Sequence, residues 1–304
     1  MSTEAIRQLD EETLRVFAEK GAQGESSVPQ VGIGNSVKVR RISQLVHDLA
    51  RRPVAELRIL DVACGEGVYS IELGLRGAEV VGMDARNERM DLGVGCAQRN
   101  GLNNVSFRQD HVRNLTRDNY GEFDAILFLG ILYHLDFPDS FKILENLHDM
   151  CRQMLIVDTH VSLHGRETVS YEGRTYYGTK RREHSDSDSE ETKRKRLLMS
   201  IDNTCNFWFT PDSLVRLLHD SGFTSVLECQ VPLEPNKPPN RVTMVAFKGS
   251  PVQVAAYPWV NSLNEEEIAE KLRPTHVRKS MKRRIQESAN ALLRPLKLEL
   301  RPLR

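Results

Sequence analysis

The stretch LRILDVACGEGVYS, residues 57–70, decides the fold. Its first six residues are mostly aliphatic and predict a short, buried β-strand. Glycines at positions 65 and 67 then allow a tight turn, and an apolar helical pattern begins at about residue 67. The first turn of such a helix offers free N–H groups to an anionic group. The stretch therefore predicts a ligand site at the carboxyl end of a strand.

The alternation of strand and helix continues to residue 250. After the strand at 57–62, further strands are predicted at 78–84, 105–110, 123–130 and 154–160, and helices at 67–76, 87–100, 139–150 and 209–223. The last two predicted strands, 225–232 and 241–249, follow one another without a helix between them. We therefore expect an α/β fold with a doubly wound, mostly parallel seven-stranded sheet and an antiparallel edge strand.

Other segments flank or interrupt this domain, which we place at residues 55–250. Residues 1–54 form a predicted N-terminal helical segment, with helices at 3–20 and 37–50. Residues 161–206 are a predicted lid insertion over the carboxyl edge of the sheet, and its serine-rich, acidic and basic block at 182–196 has the composition of a mobile, solvated loop. Residues 251–304 are a predicted basic helical tail.

The basic tail offsets an acidic body, although the net charge of the whole chain is +0. Residues 271–304 contain 11 Lys and Arg against the two acids Glu287 and Glu299. Such a tail either binds an anionic partner or lies against the acidic part of its own chain.

The composition excludes several classes of protein. The chain is 39% hydrophobic and 28% charged, with a mean hydropathy of −0.44. No run approaches the ~18 apolar residues of a membrane span, and the charged N-terminus lacks the apolar region of a secretory signal. The five cysteines are scattered without a C-x-x-C pair, which argues against a disulfide scaffold or a zinc site. We expect a cytoplasmic protein.

Acidic residues end three of the predicted strands. Asp61 ends the first strand, Asp84 ends the second, and Asp110 ends the third. A carboxylate at the position of Asp84 can accept hydrogen bonds from both hydroxyls of a ribose, and Asp110 can accept one from an adenine amino group. These positions predict a nucleoside-containing ligand.

This arrangement resembles the class I S-adenosylmethionine-dependent methyltransferases over residues 55–250. The family motif, an acidic residue followed by three alternate glycines, corresponds here to Asp61, Ala63, Gly65 and Gly67. Ala63 departs from the first glycine by one methyl group. A dinucleotide-binding Rossmann enzyme is the competing interpretation, and it requires a third glycine where Ser70 stands.

The resemblance implies S-adenosyl-L-methionine as cofactor, and it assigns roles to individual residues. Asp61 and the loop around Cys64 would face the methionine end, and Asp84 would hold the ribose. Asp110 and His111 would lie at the adenine. The cofactor-binding positions implied by the resemblance are Asp61, Ala63, Cys64, Gly65, Gly67, Asp84, Asp110, His111 and Leu129.

The fourth predicted strand is followed by GILYHLDFP, residues 130–138. This pattern resembles a subset of the family that includes the tRNA wobble-uridine carboxymethyl transferases. The Asn/Asp-Pro-Pro-Tyr motif of nucleic-acid amino methyltransferases is not present. Metal-dependent members have an acid at the end of the fourth strand, where this chain has Gly130, and an Asp-Asn pair where this chain has Asp158-Thr159, so we expect no metal.

Methyl transfer to an alcohol or phenol requires alignment and a base that works near neutral pH. His134 is our candidate base, His160 is the second choice, and Tyr133 would contact the acceptor. The insertion supplies a predicted aromatic lid over the acceptor, formed by Tyr176, Tyr177, Phe207 and Trp208. Local packing is the competing explanation for each of these side chains.

We expect O-methylation of a small-molecule acceptor. Three alternatives stay open at this level. The basic tail favours tRNA or another anionic surface as partner. The domain would also serve as a non-catalytic, cofactor-binding scaffold. A carboxylated form of the cofactor would need an extra cation, for which Arg40, Arg41 and Arg86 are candidates.

Overall fold

The computed structural model describes residues 31–197, 199–231 and 237–250, and it describes side chains from residue 37 onward. A seven-stranded sheet organises this part of the chain. The predicted helix at 3–20 and the basic tail at 251–304 lie outside this part. The strands of this sheet are β1 (Arg58–Val62), β2 (Glu79–Asp84), β3 (Val105–Gln109), β4 (Phe123–Leu129), β5 (Cys151–His160), β9 (Ser225–Glu228) and β10 (Arg241–Phe247), with β6 to β8 given below.

The order of the strands is β3-β2-β1-β4-β5-β10-β9. Strands β1 to β5 pair in parallel, and β10 runs antiparallel to both β5 and β9. The predicted seven-stranded, mostly parallel sheet is therefore confirmed. The antiparallel strand lies one position in from the edge, because the chain forms β9 first and then returns through β10 between β9 and β5.

The helices are α1 (Val31–Leu49), α2 (Val68–Leu75), α3 (Asn87–Arg99), α4 (Arg117–Tyr120), α5 (Asp139–Met150), α6 (Glu190–Lys195) and α7 (Pro211–Asp220). Thr210 caps α7 by accepting a hydrogen bond from the amide of Ser213, and Pro211 occupies its first turn. Among these described helices, none has the length and apolar character needed to cross a bilayer.

Both faces of the sheet are buried. In β4, Ala125 and Leu127 pack on one face with α1 and α2, whereas Ile126 and Phe128 pack on the other face with α5 and α7. This alternation follows from the two-residue period of a strand. The sheet is therefore doubly wound, and its open carboxyl edge is left for a site.

The insertion forms a second sheet. Strands β6 (Glu167–Tyr171), β7 (Arg174–Arg182) and β8 (Cys205–Phe209) pair antiparallel in that order. The block at 182–196 is more structured than its composition indicated. The hydroxyl of Ser189 caps α6, and Asp188 pairs with Arg196. The structure of this block thus involves local hydrogen bonds and ion pairs, and no residue of α6 is buried.

Candidate functional site

A cavity of about 360 Å³ lies at the carboxyl ends of β1, β2 and β4. Its walls include Ala63, residues within 83–89 and 110–113 at the ends of β2 and β3, and residues within 129–135 after β4. Residues within 197–203, from the insertion, complete the lining. The cavity therefore lies where the sequence predicts a ligand site.

The turn after β1 has three residues with left-handed backbone angles. These are Ala63, Gly65 and Gly67, with φ values of 55°, 56° and 75°. Such angles cost a residue with a Cβ on the order of 1 kcal/mol, so Ala63 is tolerated in place of the first glycine of the motif. Gly67 is constrained further, because a Cβ there would lie 2.6 Å from the ring of Phe107.

The ring of Phe107 lies in a cradle of three glycines. A Cβ built on Gly82 or Gly93 would also come within 2.9 Å or 2.7 Å of this ring. Gly67 directly precedes α2, Gly82 lies in β2 and Gly93 lies in α3. The ring of Phe107 therefore packs these three elements tightly together. The absence of side chains at Gly67, Gly82 and Gly93 serves this packing as well as the turn.

Asp84 is the most favourably placed carboxylate of the cavity. It is buried, lines the cavity, and accepts hydrogen bonds from the amides of Gly65 at 3.0 Å and Arg86 at 2.9 Å. Each oxygen thus has one backbone donor, which orients the group and leaves acceptor capacity on both oxygens. This geometry suits a pair of vicinal hydroxyls.

Asp110 and His111 also line the cavity, at the end of β3. Asp110 accepts hydrogen bonds from Asn114 at 2.7 Å and Tyr120 at 2.8 Å. Burial alone would raise the pKa of Asp110, but these bonds and that of the His111 amide lower it. The Asp110 carboxylate is therefore largely engaged within the protein, and its role toward an adenine stays a prediction.

Asp61 is fully buried and does not line the cavity. It accepts a hydrogen bond of 2.7 Å from the hydroxyl of Ser70, and among the described residues no cation pairs with it. Burial is the main cause that raises the pKa of Asp61 to about 7, with a smaller contribution from the charge of Asp84. Cys64 is buried beside it, and burial raises the pKa of this thiol as well.

The wild type should lose folding stability as the pH rises, and we expect Asp61→Asn to remove this loss. Because the pKa of Asp61 is about 7 in the folded state against an ordinary value of 3.8, the folded protein retains a proton that the unfolded chain releases. This contribution to the free energy of unfolding is complete below about pH 4 and is lost as the pH rises through about 7. The variant keeps an oxygen that accepts from Ser70.

Urea unfolding of both proteins at about pH 4 and pH 8 measures this effect. The variant should gain stability relative to the wild type at the higher pH. The exposed Asp118→Asn is the control and should show no such difference. An equal effect of Asp61→Asn at both pH values would contradict the prediction.

His134 lines the cavity after β4 and pairs with a carboxylate that the sequence did not indicate. Its Nδ1 lies 2.5 Å from Oε1 of Glu183. Glu183 follows the end of β7 and lies within the charged block at 182–196, where nothing in its spacing links it to His134. Since a carboxylate only accepts, Nδ1 of His134 donates to Glu183, and Nε2 is left as the basic nitrogen.

Tyr133 lines the cavity beside His134, whereas His160 lies behind it. The ring centroids of Tyr133 and His160 are 4.8 Å apart, and His160 Nε2 lies 3.4 Å from Arg241. Burial and the charge of Arg241 lower the pKa of His160. His160 does not line the cavity, so its predicted role as an alternative base loses support.

Trp208 is a structural support in this wall. Its Nε1 donates to the carbonyl of Tyr133 at 3.1 Å, its ring stacks on His160 at 4.9 Å, and Arg181 lies 4.0 Å above the ring. These three partners hold Trp208 in place, and Trp208 does not line the cavity, so the predicted contact of this ring with an acceptor loses support.

The other three residues of the predicted aromatic lid do not line this cavity. Tyr176 is fully buried and donates to Asp220 at 2.6 Å, and Phe207 is buried in the same core. Tyr177 is 37% exposed but does not line the cavity. Successive residues of a strand point to opposite faces, and the inward face of the small sheet packs on α5 and α7.

Residues 199–203, which we call the strap, cover the cavity instead. Arg86 donates to the carbonyls of Met199 and Ser200 in the strap, at 3.1 and 3.5 Å. Arg113 donates to Asp202 and, at 2.7 Å, to Asn203. Of the three arginines that are candidates for binding a carboxylated cofactor, Arg86 therefore binds the strap, Arg41 is buried and Arg40 is exposed.

We expect Arg86→Ala to loosen the strap. Charged hydrogen bonds to the strap would be lost, and the affinity for a ligand in the cavity should fall by about fivefold, or about 1 kcal/mol. Hydrogen exchange at residues 199–203 should accelerate in the same variant. Arg152→Ala, at the start of β5 on the opposite edge of the sheet, is the control. Unchanged exchange in the strap would contradict the assignment.

Asp158, at the end of β5, is fully buried in a charged cluster. It lies 2.7 Å from Lys38 of α1, from Arg241 of β10 and from the hydroxyl of Thr243. Burial would raise the pKa of Asp158, but Lys38 and Arg241 lower it to about 2. Among the described residues no group of three or more His, Cys, Asp or Glu side chains is arranged to hold a metal ion.

The chain is similar to several known proteins. A family model described as "Methyltransferase domain" matches residues 36–228. The ubiquinone biosynthesis O-methyltransferase of Acinetobacter baumannii (strain ACICU) is 30% identical over 87 residues, which are 29% of this chain and 37% of that protein. The chain thus matches well under half of the length of this relative.

Solved structures share the fold. The N-terminal domain of EvdMO1, determined with SAH and D-fucose, has a TM-score of 0.57 at 18% identity and covers 79% of this chain and 98% of that chain. A 1,6-didemethyltoxoflavin-N1-methyltransferase from Burkholderia thailandensis, with bound 1,6-didemethyltoxoflavin and S-adenosylhomocysteine, has a TM-score of 0.52 at 20% identity. It covers 79% of this chain and 90% of that chain.

The family model spans the α/β sheet from β1 to β9, the turn after β1, and both Asp84 and His134. It covers well over half of the chain. The chain therefore belongs to the methyltransferase-domain family.

Proposed function

We propose that this protein transfers a methyl group from S-adenosyl-L-methionine to an oxygen atom of a small-molecule acceptor, with His134 as the base. The observation that carries the proposal is that His134, paired with Glu183, lines the same strand-end cavity as Asp84. The cavity of about 360 Å³ falls within the ~300–1,000 Å³ of ligand sites.

The residues present fit the cofactor that is named with the structural relatives. Asp84 would accept from the ribose hydroxyls. Asp61 does not line the cavity and accepts from Ser70 just behind the turn after β1, so its contact with the methionine end stays a prediction. Apolar side chains such as Met83 and Val112 would pack against the adenine. When bound, the cofactor supplies an electrophilic methyl group on a sulfonium.

The chain's own contribution would be alignment, proton transfer and exclusion of water. Nε2 of His134 would take the proton of the acceptor hydroxyl as its oxygen forms the bond to carbon, and Glu183 would stabilise the resulting imidazolium. Tyr133 would border the acceptor. The strap would keep water out of the cavity during transfer.

A small acceptor is favoured by this enclosure. The strap forms part of the cavity wall, and the ubiquinone O-methyltransferase relative acts, by its name, in the biosynthesis of a small molecule. The tRNA alternative depends on the basic tail, which lies outside the described residues, and it stays a prediction.

The test has two stages. Calorimetric titration with S-adenosyl-L-methionine and S-adenosylhomocysteine should give binding, and labelled methyl transfer should then be screened across phenols, hydroxylated sugars and tRNA. Label in a phenol or sugar product supports the proposal. Label in tRNA alone would overturn the small-molecule part, and failure to bind either form of the cofactor would overturn the whole.

A further inference from the structure

Glu183 joins the candidate base to the strap. Its Oε1 accepts from Nδ1 of His134 at 2.5 Å and from Nδ2 of Asn206 at 2.6 Å. Its Oε2 accepts from the amide of Ser200, within the strap, at 2.6 Å. The carboxylate is largely buried, with 10% of its side chain exposed, so these donors satisfy a charge that burial would otherwise penalise.

A second contact ties the strap to the same residue. Nδ2 of Asn203 donates to the backbone carbonyl of His134 at 3.0 Å. The strap also forms part of the cavity lining. The segment that covers the cavity is therefore the segment that holds both the carboxylate partner and the backbone of His134.

Resting on the proposed function, we infer that Glu183 is a positioning residue that couples closure of the strap to the orientation and tautomer of His134. With the strap in place, the Ser200 amide fixes Oε2, and Oε1 accepts from Nδ1, so Nε2 is the unprotonated nitrogen. Displacement of the strap removes the Ser200 and Asn203 contacts together. The base is then correctly oriented only while the cavity is covered.

Glu183→Gln tests the positioning role. The amide replaces one carboxylate oxygen by an NH2 group that only donates, so either His134, on Oε1, or the Ser200 amide, on Oε2, loses its acceptor. We expect kcat for the acceptor found in the transfer screen to fall by roughly 10–100-fold while KM for that acceptor changes by less than about threefold. Asp220→Asn is the control, because Asp220 is another largely buried carboxylate, 19% exposed, that accepts from Tyr176 and does not line the cavity.

The tautomer of His134 is measured by ¹⁵N NMR of the imidazole nitrogens with S-adenosylhomocysteine bound, and its signals are assigned by their loss in His134→Gln. The wild type should show the form protonated at Nδ1, and Glu183→Gln should show a mixture. Arg86→Ala, which contacts neither His134 nor Glu183, should also show a mixture if the strap is coupled to the base. Arg152→Ala and Asp220→Asn should retain the wild-type spectrum.

Two outcomes would overturn the inference. Unchanged kcat and an unchanged tautomer in Glu183→Gln would remove the positioning role. A wild-type tautomer in Arg86→Ala, alongside a mixture in Glu183→Gln, would remove the coupling to the strap. Because the NMR measurement needs only the bound S-adenosylhomocysteine, failure to find any methyl acceptor would count against the proposed function and leave this result interpretable.

Discussion

His134→Ala is expected to lower kcat by roughly 10²–10⁴-fold, the usual contribution of a general base. The imidazole lines the cavity and its Nδ1 is committed to Glu183, so its loss removes the proton acceptor without removing Asp84. Affinity for S-adenosylhomocysteine should therefore change by less than about threefold. Steady-state kinetics with the identified acceptor and calorimetric titration measure the two quantities separately.

His47→Ala is a suitable control for this experiment, because His47 is exposed on α1. His160→Ala provides the critical comparison between the two candidate bases. If it lowered kcat more than His134→Ala did, with both proteins folded, the base would be wrongly assigned. Equal turnover of His134→Ala and the wild type would leave His134 as a packing residue.

Asp84→Asn is expected to weaken binding of S-adenosylhomocysteine by about 1–3 kcal/mol, which corresponds to roughly 5–150-fold. The substitution removes the charge and leaves one acceptor oxygen, whereas the carboxylate already accepts from the amides of Gly65 and Arg86. Both the ribose contact and the turn after β1 should suffer. Asp84→Ala should have at least as large an effect.

Asp91→Asn, an exposed carboxylate of α3, is the matched control. Thermal unfolding of each variant separates lost affinity from lost folding. An unchanged affinity in an Asp84 variant that melts like the wild type would remove this residue from the site.

The sheet was predictable from local patterns, because each strand of a doubly wound fold is a short apolar run between helices. The ends of those runs also predicted the cavity, and Asp84, Asp110 and His134 all line it. Their chemical roles stay predictions. What local patterns lack is pairing over long distances in the chain, as between His134 and Glu183 or between Arg86 and the strap.

The predicted aromatic lid residues lie away from the cavity for a related reason. A run such as Tyr176-Tyr177 carries no information about which face of a strand is covered until the partner elements are known. In the structure Tyr176 is buried and Tyr177 is partly exposed. The strap, a mixture of polar and apolar residues with no distinctive composition, lines the cavity in place of the aromatic residues.

The cradle around Phe107 has a consequence for how this family member tolerates mutation. Because one ring fills the space left by Gly67, Gly82 and Gly93, these four positions form an epistatic unit whose substitution energies do not add. A methyl group at any of the three glycines meets this ring. A smaller side chain at 107 would relieve that contact, but a Cβ at Gly93 would still lie 2.9 Å from the carbonyl oxygen of Glu66, and one at Gly82 would lie 2.9 Å from the Ser70 hydroxyl. Substitutions in the turn after β1 are thereby tied to Phe107 on β3. A different turn requires a change at Phe107 as well as in the turn itself.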